Sequence, residues 1–201
     1  PVPKPDDKVY ERIHRLSEMV MKRGGYHKAA LTNQKEFKPY IRKVFEMVND
    51  AYTDLYGTVE LTEEQIEKYA DKFCPLVNPE FACLVLNDQD ELMGFGVCAP
   101  SMAAAMQKSR GRLFPFGWIG VLRALKKNTA VDLLLIAVKP SLKNMGVNAV
   151  IIDHIMQSCI RNGIEYAESG PMLENNSKVL SQWKDFGAVF DKRRRCFVKS
   201  I

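Results

Sequence analysis

No apolar run in this chain of 201 residues reaches the roughly 18 that a membrane-spanning helix needs, and the longest, Val131 to Val138, is interrupted by Asp132. The chain is therefore not expected to span a bilayer, and no membrane is expected among its partners. Histidine is scarce: three residues, scattered, with no metal-ligand spacing, so no metal site is expected. The five cysteines form an odd set without a Cys-x-x-Cys pair, which argues against a disulfide scaffold or a zinc site. Reduced thiols and a cytoplasmic setting are the corresponding expectation. The chain also lacks the low hydrophobicity of disorder, since 46% of its residues are hydrophobic and 26% charged. Its start, rich in Pro and Lys, has no apolar signal segment. The length suits one well-formed core with an appendage.

What is present is an uneven charge distribution. The net charge of +5 hides an acidic middle, with 2 basic and 12 acidic groups over 44–100, and a cationic final part, with 16 basic and 7 acidic groups over 101–201. An anionic ligand near the C-terminal half follows as an expectation.

Hydrophobic spacing predicts the elements. Val9, Ile13, Leu16 and Val20 form one helical stripe stopped by Gly24-Gly25, and a short extended stretch, Tyr26 to Leu31, follows. Phe37, Tyr40, Ile41, Val44, Phe45, Val48 and Ala51 share the face of a second helix, and Thr62 with Gln65 makes a capping box for a third. Phe81–Leu86 and Leu92–Ala99 flank the polar turn 87–90 as a hairpin. Two short helical stretches lead to a β-rich run, 131–138, ended by Pro140. A long helix from about Gly146 to Asn162, a strand 164–169, a helix 176–186 and a final strand 194–198 complete the order. This is mixed α and β with an antiparallel front and one β-loop-α-β crossover at the back.

The chemistry concentrates where the run 131–138 turns, through Pro140 and 141–145, into the helix opened by Gly146. Unpaired N–H groups at a helix N-terminus, with Lys139 and Lys143 beside them, suit a pyrophosphate. An ordinary strand-to-helix connection would show the same spacing.

Val138-Lys139-Pro140-Ser141-Leu142-Lys143-Asn144-Met145-Gly146-Val147-Asn148 resembles motif A of the GNAT acetyltransferase superfamily, a strand with Val-x-Pro followed by Gln/Arg-x-x-Gly-x-Gly/Ala at a helix start. Asn176, Trp183 and Gly187-Ala188 stand where the family has Asn, Tyr and Gly-Phe. The resemblance covers about residues 35–201 and implies an α/β (α+β) fold, a central mixed, mainly antiparallel sheet flanked by helices. Residues 1–34 then form an N-terminal extension. Gly111-Arg112-Leu113-Phe114-Pro115-Phe116-Gly117 further resembles text in a group of bacterial GNAT-like proteins in which a second such unit can precede the first. Residues 1–34 are accordingly expected to be the end of a preceding unit, with Pro1 a cut edge.

The resemblance also implies acetyl-CoA as cosubstrate, in a splay between the strands 131–138 and 164–169. Its pantetheine arm would pair with the backbone of Ile136, Ala137 and Val138. Its pyrophosphate would sit on the amides of Lys143, Asn144, Met145, Gly146, Val147 and Asn148, and Lys178 or Lys143 would meet the remaining phosphate. An acceptor amine of a small molecule or peptide would attack the thioester directly, with a strand N–H holding the oxyanion. Lys143 in place of Gln or Arg keeps a cation. Asn148, in place of a small residue, must turn its side chain away or donate a hydrogen bond. Trp183 replaces the family's proton-donating Tyr and has no useful acid, so water or Tyr166 is left to assist a thiolate whose thiol pKa is about 8.5. Glu168, at the open side of the splay, is the preferred carboxylate for the amine, with Asp132 beside it. Asn148 and Trp183 keep open a second reading, a catalytically weak or inactive module that binds CoA or packs against a partner domain.

Other signals are discounted. Gly94-Phe-Gly96-Val-Cys-Ala99 matches a dinucleotide fingerprint but lies inside a strand, where its glycines suit a bulge or a close ligand. His154 beside Cys98 or Cys159 reads as a packed helix residue rather than a nucleophilic pair. The run Lys192 to Arg195 reads as a solvated hairpin end, and nucleic acid is not expected as a partner. Lys108, Arg110 and Arg112 either extend that run or line the acceptor pocket.

Overall fold

The structure, a computed structural model, describes residues 1–53, 55–73, 77–197 and 199; the side chains of Phe73 and Lys178 are outside this description. Helix α1 (Lys8–Gly24) stops where Gly25 takes φ 63° and its N–H reaches the Met21 carbonyl. Strand β1 (His27–Lys28) and helix α2 (Gln34–Phe37) follow. A 3₁₀ turn, Lys38–Tyr40, separates α2 from α3 (Ile41–Tyr52). The single helix expected over Phe37 to Ala51 is thus broken at Pro39, which has no N–H to continue an α-helical ladder. Helix α4 (Glu63–Phe73) opens on the expected capping box: the Thr62 N–H donates to Gln65 Oε1 at 2.9 Å, and the Gln65 N–H to Thr62 Oγ1 at 3.3 Å.

Strands β2 (Ala82–Leu86) and β3 (Leu92–Pro100) form the hairpin, and helices α5 (Ala103–Lys108) and α6 (Gly117–Lys126) connect it to β4 (Ala130–Val138). Helix α7 (Val147–Arg161) crosses over to β5 (Tyr166–Ser169), and α8 (Ser177–Gln182) follows. The five strands lie in chain order; the pairs β1–β2, β2–β3 and β3–β4 are antiparallel, and β4–β5 is parallel. The mixed, mainly antiparallel sheet is therefore the one expected. The final strand is not: residues 194–197 have no strand pairing, and Val198 lies outside the described residues. Four adjacent exposed cations, 192–195, are better solvated than stacked beside another strand.

Alternation along the strands sends side chains to two covered faces. Leu84, Leu86, Phe95, Val97 and Ala137 pack under Phe37, Ile41, Val44 and Met47 of the α2–α3 layer. Cys83, Val85 and Met93 pack under Val147, Val150 and Ile151 of α7. The β3 glycines belong to this second contact. A Cβ on Gly96 would lie 2.2 Å from Ile151 Cγ2, and one on Gly94 would lie 3.1 Å from Val147 Cγ1. They make room for α7, and no ligand is needed to account for them.

Residues 1–34, expected as an extension, contribute to the same layers. His27 and Lys28 pair with Leu86 and Val85 at the sheet edge, and α1 lies over α7. Asp153 of α7, 1% exposed, accepts from Gln157 Nε2 at 3.0 Å and meets His14 Nδ1 of α1 at 3.1 Å. A buried carboxylate without such partners would be strongly destabilising, so this contact fixes how α1 sits.

Two stability measurements test these contacts. Gly96→Ala, which overpacks the seat of α7, is expected to lower the unfolding free energy by about 1–3 kcal/mol in urea titration. His154 is half-buried, with its Nε2 atom buried and without a partner among the described residues, and burial pushes its pKa down to about 4. The unfolded chain takes up this proton near pH 6.5 and the native chain near 4, so stability falls as pH drops through that window and levels off below it. The contribution is up to about 3 kcal/mol, and His154→Gln is expected to flatten this part of the stability curve.

Candidate functional site

The pairing of β4 with β5 runs from Ala130 opposite Tyr166 to Leu133 opposite Ser169 and stops there. At the same point β4 carries a bulge. Val97 of β3 is opposite Leu135 and Cys98 is opposite Leu133, which leaves Leu134 without a partner. A bulge bends the strand that contains it, here at the last residue that β5 accompanies. Beyond it, residues 134–138 have β3 on one side and no strand on the other among the described residues.

The ladder parity decides which backbone groups face that gap. The Lys139 N–H donates to the Met93 carbonyl at 2.9 Å, so the pairs Met93/Lys139, Phe95/Ala137 and Val97/Leu135 are the hydrogen-bonded ones. Ile136 and Val138 therefore turn their N–H and C=O groups to the gap. Ala137 turns its own toward Phe95 and, unlike its two neighbours, offers the gap no backbone group.

Gly146, at φ 83°, caps the start of α7, and a Cβ there would lie 2.8 Å from Val20 Cγ2 of α1. Only part of the expected amide cradle is free. The Lys143 N–H reaches Pro140 O at 3.2 Å and the Met145 N–H reaches Leu142 O at 3.1 Å, within the 3₁₀ turn Pro140–Leu142 and its continuation. The N–H groups of Asn144, Gly146, Val147 and Asn148 have no acceptor among the described residues. The Asn148 side chain donates from Nδ2 to Gln182 Oε1 at 3.3 Å, linking the start of α7 to the end of α8. Lys143 is exposed beside the loop, and the Lys178 side chain lies outside the described residues.

Glu168 and Asp132 stand opposite each other in the parallel register, one step before the pairing ends, and so share a sheet face. Tyr166 stands opposite Ala130, three residues or about 10 Å from the end of the pairing. Trp183 packs against Phe186, ring centroids 5.6 Å apart, with its indole N–H buried and without a partner among the described residues. The discounted thiols are buried too. Burial raises the Cys98 thiol pKa and pushes that of Cys159 up to about 11, while His154 is held neutral, so no thiolate–imidazolium pair is formed.

One group at the gap had no sequence signal. Tyr52, the last residue of α3, donates its hydroxyl to the Ile136 carbonyl at 2.8 Å. Burial raises its pKa above the ordinary phenol value. A tyrosine at the end of an amphipathic helix reads as half-core, and nothing in its spacing indicates which strand carbonyl its tip will meet.

No family model matches the sequence. Among curated proteins, protein YghO of Escherichia coli (strain K12) is 25% identical over 175 residues, covering 84% of this chain, and the chain spans 45% of that protein's length. Among solved structures, a possible acetyltransferase from Clostridium difficile 630 superposes with a TM-score of 0.52 at 8% identity, over 88% of this chain and 97% of that one. AAC(6')-Iy in complex with the bisubstrate analogue CoA-S-monomethyl-acetylneamine gives 0.51 at 12% identity, over 88% and 99%. An integron cassette protein from the mobile metagenome of V. cholerae gives 0.50 at 12%, over 87% and 92%. With its mixed sheet, crossover helix and parted strands, this chain has the fold of the GNAT-type acetyltransferases.

Proposed function

We propose that the chain is an acetyl-CoA-dependent N-acetyltransferase that passes the acyl group directly to an amine. The observation that carries this reading is the coincidence of the β4–β5 gap with the four free amides of Asn144, Gly146, Val147 and Asn148. A neighbour of the same fold was solved with a CoA conjugate of an amine.

CoA, when bound, supplies an acyl thioester whose carbonyl is activated toward nitrogen. The free amides and the positive end of α7 would hold its pyrophosphate, with Lys143 and Lys178 toward the remaining phosphate. Ile136 and Val138 would align the pantetheine arm through the backbone groups that face the gap, and one of their N–H groups would hold the developing oxyanion. Glu168, with Asp132 beside it, would attract a cationic amine and take one proton to free the nitrogen lone pair; as the C–N bond then forms and the C–S bond breaks, the nitrogen sheds a second proton, which balances the one the departing thiolate takes up. A phenol to assist the departing thiolate would be Tyr52, whose hydroxyl stands at the Ile136 carbonyl, or Tyr166, at the start of β5.

A second reading has support of its own. Tyr52 occupies the Ile136 carbonyl and Asn148 is tied to Gln182, so both arms of the cradle carry a protein contact at a position the cosubstrate would use. A module that binds CoA weakly, or that packs against a partner domain, would have the same features.

Two measurements separate these readings. Acetyl-CoA at about 100 times its dissociation constant is expected to stabilise the fold by about 2.7 kcal/mol, read as a rise in Tm. Asn148→Asp, which sets a negative charge beside the free amides, is expected to weaken that binding at least tenfold, by roughly 1.4 kcal/mol or more, without lowering the Tm of the free protein. No Tm rise at millimolar ligand would remove the enzyme reading. With binding established, Glu168→Gln is expected to lower kcat for thiol release by about 10²–10⁴-fold while leaving the CoA-induced Tm rise intact. Thiol release that Glu168→Gln leaves unchanged would take this carboxylate out of the mechanism.

A further inference from the structure

The segment 101–129, which leaves β3 and returns to β4, contains six cations and no acidic residue: Lys108, Arg110, Arg112, Arg123, Lys126 and Lys127. All six are exposed, and no ion pair among the described residues involves any of them. The same segment displays large apolar side chains at the turn between α5 and α6. Phe114 is 79% exposed and Phe116 74%, and Leu113, Trp118 and Leu122 are exposed beside them.

These rings are held in place. The Trp118 indole N–H donates to the Pro115 carbonyl at 2.9 Å, the Trp118 backbone N–H to Leu113 O at 2.9 Å, and the Gly111 N–H to Met106 O at 2.8 Å. Gly117 is required where it stands, because a Cβ there would lie 1.9 Å from the Arg112 carbonyl oxygen. The structure keeps an apolar tip facing water on a well-tied turn, with Lys108, Arg110 and Arg112 just before it in the chain and Arg123, Lys126 and Lys127 along α6 and at its end, all unpaired among the described residues.

We propose that the α5–α6 hairpin docks on an anionic lipid bilayer surface, with Phe114 and Phe116 inserted at headgroup level and the six cations facing lipid phosphates. Aromatic side chains at the interface combined with unpaired Lys and Arg are what such a surface rewards. A nucleic acid would use stacking rings and hydrogen-bonding side chains. Over 110–118 the only side chains with hydrogen-bonding groups are Arg110, Arg112 and Trp118, and the indole N–H of Trp118 is already engaged, while Leu113 and Leu122 cannot stack on bases. A second copy of the chain would bring six like charges to the same face. Docking of this kind stays at the membrane surface; no helix among the described residues is long and apolar enough to cross a membrane.

The test is co-sedimentation of the intact chain with phosphatidylcholine vesicles, with and without phosphatidylglycerol. Binding is expected only with the anionic lipid and to weaken with added salt. Arg110→Gln with Arg112→Gln should weaken it about 30-fold, and Phe114→Ser with Phe116→Ser by about tenfold or more. Circular dichroism and Tm of both variants should match the parent, because these side chains are exposed. Binding that is absent, or indifferent to both pairs of substitutions, overturns the proposal. So does tighter binding to single-stranded RNA than to anionic vesicles under the same salt, or a dimer in light scattering that the Phe114→Ser, Phe116→Ser variant abolishes.

Discussion

The height at which α7 rides above the sheet governs the arrangement around it, and β3 sets that height by having no side chain beneath Ile151. With Gly94 and Gly96 in the strand, the helix comes close enough for Val147, Val150 and Ile151 to be fully buried against Val85 and Met93. Interiors are close-packed, so the position is stiff against small displacements. The start of α7 is then fixed relative to the end of β4, and with it the loop whose amides are left without acceptors. Helix α1 completes the support from outside, touching the loop at Gly146 through Val20 and the body of α7 through His14 and Asp153.

The gap beside β4 has an equally local cause. One extra residue, Leu134, falls where the β5 pairing ends. Bulge and termination act together: the bend carries β4 away from β5, and the missing neighbour leaves Ile136 and Val138 with backbone groups that must find partners elsewhere. Tyr52 meets one of these demands. A structure that leaves strand carbonyls beside a gap and then sets a half-buried phenol on one of them couples the α3 face of the sheet to the gap itself.

How much of this was legible in the sequence varies with the range of the interaction. The capping box at Thr62 and Gln65, the hairpin about 87–90 and the stop at Gly25 depend on residues within a few positions of one another, and all three form as read. The strand-loop-helix at 138–148 was legible because its pattern is local as well. Less visible was which amides stay free, since Lys143 and Met145 are consumed by a short 3₁₀ turn that Pro140 starts. The glycines of β3 were seen, but their partner, Ile151, lies more than fifty residues on. Tyr52 to Ile136 and His14 to Asp153 are more distant still, and no periodicity encodes them. The final strand failed for the opposite reason: 194–198 has local β character, but pairing requires a neighbour, and the described residues 194–197 join none.

The segment between β3 and β4 leaves and rejoins the sheet at adjacent points, the Ser101 N–H donating to Ala130 O at 2.9 Å across the junction, with Asn128 capping the return through its bonds to Thr129 and Ala130. Two strands that already pair at their ends impose almost no geometric demand on what joins them. Because α6 also packs against β3, it is the exposed turn 110–116 that is a cassette in architectural terms: it can be lengthened, re-charged or exchanged while the bulge, the gap and the seat of α7 keep their positions. The charge and apolar surface of that turn and the backbone geometry of the gap are written in separable stretches of the chain.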